Sequence, residues 1–405
     1  MHEGEYRTTS DNSDSHLGRA WLIECATMDE NRRNLELKSY CDDVDAVRAA
    51  AARLGALSGG RTEQSDVYFN VSRGRLKLRT TKRAESAECA LIACARANDA
   101  SLRSSDFVVL SLDATHVEPV RAALEMSCGV SWCVTKLRER LQSEDFLVNL
   151  DELDGVGRFF ELEVFEDKIG RHRAEQVAAT FRRLLRLGDE LIIPWSYAQL
   201  ANMYAVAKVH RTSLAEAPRP GRLFLLDGPS GSGKTTIVDE LQKRPVALRL
   251  QFVKRYTTRP PRFEGDDEYA FISRQQFDDM RDDGKFIDAK DFLFSMSYGV
   301  AWSDVMPVLL AGKSVFAPLN WGNAAHVKRL FPEAVVIQVT ADEADLRRRL
   351  GSRGVHDKDQ LDERIGNALR FSGSSRFADL LIDNRDGTLA GNIQAVEDFI
   401  AATVA

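Results

Sequence analysis

The segment Gly228-Pro229-Ser230-Gly231-Ser232-Gly233-Lys234-Thr235-Thr236 constrains this chain more than any other stretch. It fits the spacing G-x-x-x-x-G-K-[ST] and follows an apolar run, Leu223-Phe224-Leu225-Leu226-Asp227. Glycines at these places let the backbone curl until its N–H groups face one anion. A helix beginning just after it, through Ile237-Val238-Asp239-Glu240-Leu241, adds the positive end of its dipole. Strand, phosphate loop and helix in that order predict an α/β domain with a parallel sheet. On this spacing Lys234 is expected at the β- and γ-phosphates of ATP and Thr235 on Mg²⁺. Gly228, Ser230, Gly231, Ser232, Gly233 and Thr236 are expected to complete the cradle.

Downstream, Arg255-Tyr256-Thr257-Thr258-Arg259-Pro260-Pro261-Arg262 packs three arginines and two threonines into eight residues, the composition of a second anion site. These blocks, with Tyr269-Ala270-Phe271, Tyr298-Gly299 and Val327-Lys328-Arg329-Leu330-Phe331-Pro332, resemble guanylate kinase over essentially all of 221–405. The resemblance implies that Arg259, Arg262 and Tyr269 hold the acceptor's phosphate. It implies that Arg353 and Arg364 are lid arginines that neutralise the transferring phosphoryl group. It places Arg255, Asp288, Tyr298 and Asn320 around the rest of the acceptor. Four of the family's base-reading positions are changed here, to Val300, Asn320, Asp288 and Arg255. Losing a hydroxyl and a carboxylate removes hydrogen bonds that guanine needs. Arg255-Tyr256-Thr257-Thr258-Arg259-Pro260, Tyr298-Gly299-Val300 and Asn320 are also similar to ribose 1,5-bisphosphate phosphokinase. The acceptor is left open between a nucleoside monophosphate and a ribose phosphate.

The N-terminal half has a different rhythm. Asn34-Leu35-Glu36-Leu37-Lys38, Arg73 to Arg79, Val134 to Arg140 and Phe159 to Val164 alternate polar with apolar residues, so each reads as a strand with one charged face. Helices are expected over Asp43–Leu54 and His172–Leu187. Charged faces on successive strands can all be buried in a barrel with a polar interior. Such an interior requires a charged ligand, with basic residues taking phosphates and carboxylates holding Mg²⁺ or Mn²⁺. These segments, with Asp66-Val67-Tyr68-Phe69, Leu150-Asp151-Glu152-Leu153 and Gly157 to Glu163, resemble the CYTH family of triphosphate tunnel metalloenzymes. The resemblance implies metal binding by Glu36, Glu161 and Glu163, and triphosphate binding by Lys38, Arg75, Lys77, Arg79, Arg96, Lys136 and Arg138. It gives Asp151 a metal or a water. The family's first signature glutamate is Asn34 here, a weaker metal ligand. Hydrolysis, cyclisation and simple binding of a triphosphate stay open.

The expected organisation is therefore a disordered tail (1–30), an antiparallel β-barrel with helices of the α+β class (31–205), a linker (206–220) and an α/β P-loop kinase (221–405). The linker rests on Ala215-Glu216-Ala217-Pro218-Arg219-Pro220-Gly221. Composition narrows function further. With 55 Lys+Arg against 61 Asp+Glu, the net charge of -6 argues against a general nucleic-acid binder. No run approaches the ~20 apolar residues of a membrane helix, and the start carries no apolar signal core. Six cysteines without CxxC spacing read as reduced thiols in a cytoplasmic protein. The expected partners are small nucleotides or sugar phosphates, with no nucleic acid or membrane. Oligomeric state is left open, a homodimer included. Three functions compete: a bifunctional enzyme, a kinase with a triphosphate-sensing module, and a scaffold on a degenerate kinase. The intact Gly233-Lys234-Thr235 argues against the scaffold.

Overall fold

A computed structural model describes residues 28–83, 86–95, 103–261, 264–265, 269–291, 296–352 and 358–404. The period-2 segments become strands of one closed antiparallel barrel. Its strands are β1 (Met28–Tyr40), β2 (Leu57–Phe69), β3 (Arg75–Lys82), β4 (Ala87–Ala95), β5 (Arg103–Leu112), β6 (Val130–Gln142), β7 (Phe146–Leu153) and β8 (Gly157–Phe165). They close in the order β1-β5-β4-β3-β2-β6-β7-β8, with β1 pairing both β5 and β8. The register sets acid against base, with Lys38 opposite Glu161, Arg79 opposite Asp66, and Arg138 opposite Asp151. In β6 the buried residues are Val134, Lys136, Arg138 and Leu141, while Leu137 faces outward.

The barrel's apolar core accordingly lies outside it. Leu35, Leu37, Phe160 and Leu162 turn outward and are covered by α1 (Val44–Arg53) and α4 (Arg171–Leu184), with Ala50, Ala51, Ala174, Ala178 and Phe181. Asp43 caps α1 through its carboxylate and the Ala46 N–H, 2.9 Å. Both helices lie within two or three residues of the expected spans. A third, α2 (Ala114–Cys128), was not expected. It buries none of its residues, so its sequence lacks the apolar stripe that would announce it. A single turn, α3 (Glu166–Ile169), leads into α4.

Part of the expected linker is helix. Residues 206–216 are the second half of α5 (Tyr197–Glu216), which starts on a capping box between Ser196 and Gln199. Its Leu200, Met203, Ala207 and Leu214 are buried in an apolar cluster shared with the C-terminal half. Apolar residues on the exposed face, Ala205 and Val209, hid the helical period, and only the Pro218–Gly221 stretch breaks the chain. The N-terminal tail lies outside the described residues up to 27, and β1 already begins at Met28.

Beyond the connector stands a parallel sheet ordered β10-β15-β9-β16-β17. Its strands are β9 (Leu223–Asp227), β10 (Leu250–Phe252), β15 (Ser314–Pro318), β16 (Val335–Thr340) and β17 (Leu380–Asp383). Around it lie α6 (Lys234–Leu241), α8 (Trp302–Leu310), α9 (Ala324–Leu330), α10 (Glu343–Gly351), α11 (Lys358–Arg370) and α12 (Leu389–Thr403). A smaller sheet, β12-β11-β14-β13, holds β11 (Tyr256–Thr257), β12 (Ala270–Phe271), β13 (Phe286–Asp291) and β14 (Ser297–Ala301), with α7 (Arg274–Asp282) upon it. The α/β domain with a parallel sheet thus takes the expected form. No described helix is long and apolar enough to cross a membrane.

Candidate active sites

β9 runs into the phosphate loop and α6 leaves it. Gly228, Gly231 and Gly233 have φ of 145°, 87° and 98°, conformations that side chains rarely adopt. A Cβ on Gly233 would also collide with the Asn384 amide, which donates to Ser232 O (2.8 Å) and pins the loop. Lys234 Nζ donates to the carbonyls of Gly228 (2.5 Å) and Pro229 (2.8 Å), so it lies folded along the loop. Thr235 and Thr236 are exposed at the helix start. This glycine-shaped cradle with a lysine in it and a hydroxyl at its rim fits the phosphates of ATP and a hard cation. Arg364, from α11, reaches Ser230 Oγ at 3.4 Å, so this lid candidate is brought to the loop. Arg353 lies outside the described residues. Of the Arg347–Arg349 triplet, Arg349 turns toward the loop, donating to Asn384 O (2.8 Å), while Arg347 pairs with Glu343 and Asp362.

The acceptor candidates also meet, Arg262 excepted, which lies outside the described residues. Arg255 donates to Asn320 Oδ1 (3.3 Å) and Tyr269 Oη (3.2 Å), and its guanidinium sits 5.0 Å from the Tyr298 ring centre. Arg259 lies over Tyr269 and Phe271, 5.1 Å from each ring centre. Asp288 is turned inward. It is fully buried and accepts from Asn320 N (2.7 Å) and Asn323 Nδ2 (2.6 Å), and burial pushes its carboxyl up to about 6. Asn320 Nδ2 is taken by Tyr298 O at 2.8 Å. Two groups nearby escaped the sequence reading. Burial pushes Asp227, at the end of β9, up to about 7 against the pull of Lys234. Burial likewise brings the Lys290 ammonium down to about 8, where it donates to Trp321 O at 2.5 Å. A carboxylate ending an apolar strand just before the loop was the available signal for Asp227.

Inside the barrel is a cavity of about 220 Å³. Among the described residues, Lys38, Arg75, Lys77, Arg79, Lys136, Arg138 and Arg140 line it with only Glu36, Glu161 and Glu163 as carboxylates. Arg96 lies outside the described residues. Two carboxylates stand behind the cations. Asp66 accepts from Lys77 (3.0 Å) and Arg79 (2.6 and 2.7 Å). Burial works to raise its carboxyl, but Lys77 and Arg79 hold it well below the usual range. Asp151 is gripped through both oxygens by Arg138 (2.6 and 2.5 Å) and receives the Tyr197 hydroxyl at 2.7 Å. It is therefore engaged as a clamp on Arg138 rather than open to a metal.

The three expected metal ligands share this cavity: Glu36 stands opposite Glu163 in the β1–β8 register, and Glu161 lies two residues from Glu163 on the same strand face. No group of three or more His, Cys, Asp or Glu among the described residues is placed to hold a metal. Lys38 (3.0 Å) and Arg138 (2.9 Å) draw Glu161, while Asn34 (3.2 Å) and Asn149 (2.9 Å) each donate to one oxygen of Glu163. Burial, then Glu36 and Glu161, raise the Glu163 carboxyl to about 7. The oxygen donors suit Mg²⁺ or Mn²⁺ chemically, yet Glu161 would have to leave its cations first. Tyr197 was missed because it comes from α5, outside the strand pattern. Lys38 Nζ and Lys136 Nζ stand 4.0 and 4.7 Å from its ring centre.

The sequence pattern of guanylate kinase matches residues 220–403. The guanylate kinase of Alkalilimnicola ehrlichii is 33% identical over 184 residues, covering 44% of this chain and 88% of the relative. That of Neisseria gonorrhoeae is 32% identical over 174 residues, covering 42% and 83%. Among solved structures, guanylate kinase from Anaplasma phagocytophilum aligns at TM-score 0.36 and 18% identity, covering 46% of this chain and 88% of that one. A Vibrio parahaemolyticus protein described as a candidate adenylate cyclase aligns at TM-score 0.34 and 20% identity, covering 42% and 99%. Matched at 33% and 32% identity over 88% and 83% of the length of the two guanylate kinases, the chain belongs to the guanylate kinase family through residues 220–403.

Proposed function

We propose that the chain is a bifunctional phosphate-transfer enzyme. Its kinase half moves the γ-phosphoryl group of ATP to a small phosphorylated acceptor, and its barrel binds and processes a triphosphate. The observation that carries the kinase reading is the phosphate loop with Lys234 folded into it and Arg364 at its rim. Phosphoryl transfer needs alignment and charge balance more than a protein nucleophile. Lys234 and Arg364 would balance charge at the transferred group, while Arg259 and Tyr269 hold the acceptor's phosphate in line. Mg²⁺ at Thr235 would supply further charge neutralisation.

The acceptor is read as a ribose phosphate in preference to guanosine monophosphate. Asp288 and Asn320, which stand at base-reading positions, spend their hydrogen bonds on Asn323, Tyr298 and Arg255. Presenting them to guanine would first break those buried bonds, at about 1–3 kcal/mol each. The test offers the full-length protein ATP, Mg²⁺ and a panel of nucleoside monophosphates and ribose phosphates, with products read by mass. A ribose phosphate should gain one phosphoryl group, and Lys234→Ala should abolish the gain. Guanosine monophosphate as the best acceptor would overturn the assignment.

For the barrel, the excess of cations over carboxylates supports a polyanionic ligand, with Mg²⁺ or Mn²⁺ entering alongside it. A second reading, binding without turnover, is favoured by Asn34 and by the hold of Lys38 and Arg138 on Glu161. Phosphate release from inorganic triphosphate by the Lys234→Ala protein separates the two.

A further inference from the structure

We propose that a polyphosphate anion in the barrel tightens the acceptor-binding part of the kinase through the first turns of α5, making the barrel an effector site for its neighbour. This rests on the reading of the barrel as a polyphosphate site. The same two helical turns serve both halves. Ser196 and Tyr197 line the barrel cavity, and Tyr197 is bound to Asp151. Two residues on, Gln199 Oε1 lies 3.4 Å from Arg75, a cavity cation, while its Nε2 donates to Asp282 at 2.8 Å. Asn202 Nδ2 donates to the Asp282 carbonyl at 2.6 Å. Asp282 ends α7, and Gly284 just after it turns with φ 68° against Asn202 and Val206 before the chain enters β13. On the apolar side, Leu200 and Met203 of α5 share a buried cluster with Ile287 of β13 and Val300 of β14. The elements that carry Asp288, Lys290 and Tyr298 thus rest on a helix whose N-terminus is in the barrel.

Two effects of an arriving polyanion act in one direction. Phosphate is a stronger partner for Arg75 than a neutral amide, so it takes Arg75 from Gln199. The Gln199 carbonyl then serves only the capping box, in which it accepts from Ser196 N at 3.0 Å. Negative charge beside Ser196 and Tyr197 also favours the positive end of the 20-residue helix α5. A firmer first turn holds Gln199 and Asn202, and through them Asp282, more steadily.

Hydrogen–deuterium exchange on the full-length protein, with and without inorganic triphosphate, tests this without knowledge of the kinase acceptor. Triphosphate should slow exchange in the barrel strands. It should also slow exchange across Arg274–Asp282 and Phe286–Asp291 about two- to fivefold, the range set by a charge at a helix end. In Asp282→Ala/Asn202→Ala the barrel effect should persist and the kinase effect vanish, with basal kinase activity unchanged. In Arg79→Ala, which removes a barrel cation, both should weaken. Slowing in the barrel alone would overturn the coupling while leaving the barrel reading intact. A kinase effect that survives in Arg79→Ala would place the anion at the phosphate loop and overturn it as well. No binding heat and no change in the barrel would remove the barrel reading, and the coupling with it.

Discussion

Asp151→Asn distinguishes a clamp from a catalytic carboxylate. Asp151 is 2% exposed, Arg138 4% and Lys136 2%. The carboxylate meets Arg138 at 2.6 and 2.5 Å and Lys136 at 3.6 Å. Asparagine preserves the shape and removes the charge, leaving Arg138 with Glu161 at 2.9 Å and Lys136 with Asp66 as the remaining carboxylate acting on it. Breaking one side of a buried ion pair costs about 3–5 kcal/mol, since the orphaned charge stays desolvated. Urea denaturation followed by tryptophan fluorescence should show a loss of that size. The second half of the argument concerns the ligand. Removing a negative charge from behind the cavity's cations should make inorganic triphosphate bind more tightly, so added triphosphate should recover stability. At a hundredfold excess over Kd the recovery is about 2.7 kcal/mol for a one-site ligand, and it should be larger at equal ligand concentration in the variant than in the parent. A variant as stable as the parent would mean that Arg138 does not depend on Asp151. Weaker triphosphate binding would mean that Asp151 works on the ligand side, through a metal or a water, and the clamp reading would fail.

Burial, with Arg79 beside it, lowers the Lys77 ammonium to about 8. Titration calorimetry should therefore show triphosphate binding weaken as pH rises past about 8, by at most about tenfold per pH unit for one proton, and Lys77→Arg should flatten the profile. The ligand-free protein should gain stability between pH about 8 and about 10.4, because unfolded Lys77 holds a proton there that folded Lys77 lacks; a slope of opposite sign would contradict its burial as a cation. Gly322→Ala puts a Cβ into the Phe371 ring, 2.6 Å from Cγ, at φ 88°, so thermal denaturation should show a loss of about 2–4 kcal/mol; an unchanged Tm would refute the contact. Tyr40→Phe removes the partner of His326 Nδ1, 2.5 Å away across the two halves, and should cost about 1–3 kcal/mol, with no cost expected only if water replaces the hydroxyl.

What the residues announced depended on how local the determining physics is. The phosphate loop was legible because Gly228 and Gly233 are demanded by their own backbone angles and their immediate neighbours. The barrel was legible because a strand's period is two, so Lys136 and Arg138 must share a face whatever lies opposite. Tyr197 was not, since its place inside the barrel follows from how α5 docks. Nor was the inward turn of Asp288, which Asn320 and Asn323 impose from 32 and 35 residues away. Residues 206–216 looked like linker because only Ala207 and Leu214 of them are buried, while apolar Val209 stands 65% exposed and blurs the stripe.

The charge arrangement also bears on why the two halves share one chain. A barrel lined by cations is costly to desolvate unless carboxylates stand among them. Here they do, but unequally. Asp66 and Asp151 are each locked by short bonds to arginine, and Arg75 reaches the neutral amide of Gln199 at 3.4 Å. The locked pairs fix the shape of the cavity, and phosphate is a stronger partner for Arg75 than the Gln199 amide. Arg75 thereby touches α5, as do Lys38 and Lys136 through the Tyr197 ring. Three cavity cations thus stand against the helix that also packs on β13 and β14, so an anion that moved them would act on a support common to both halves.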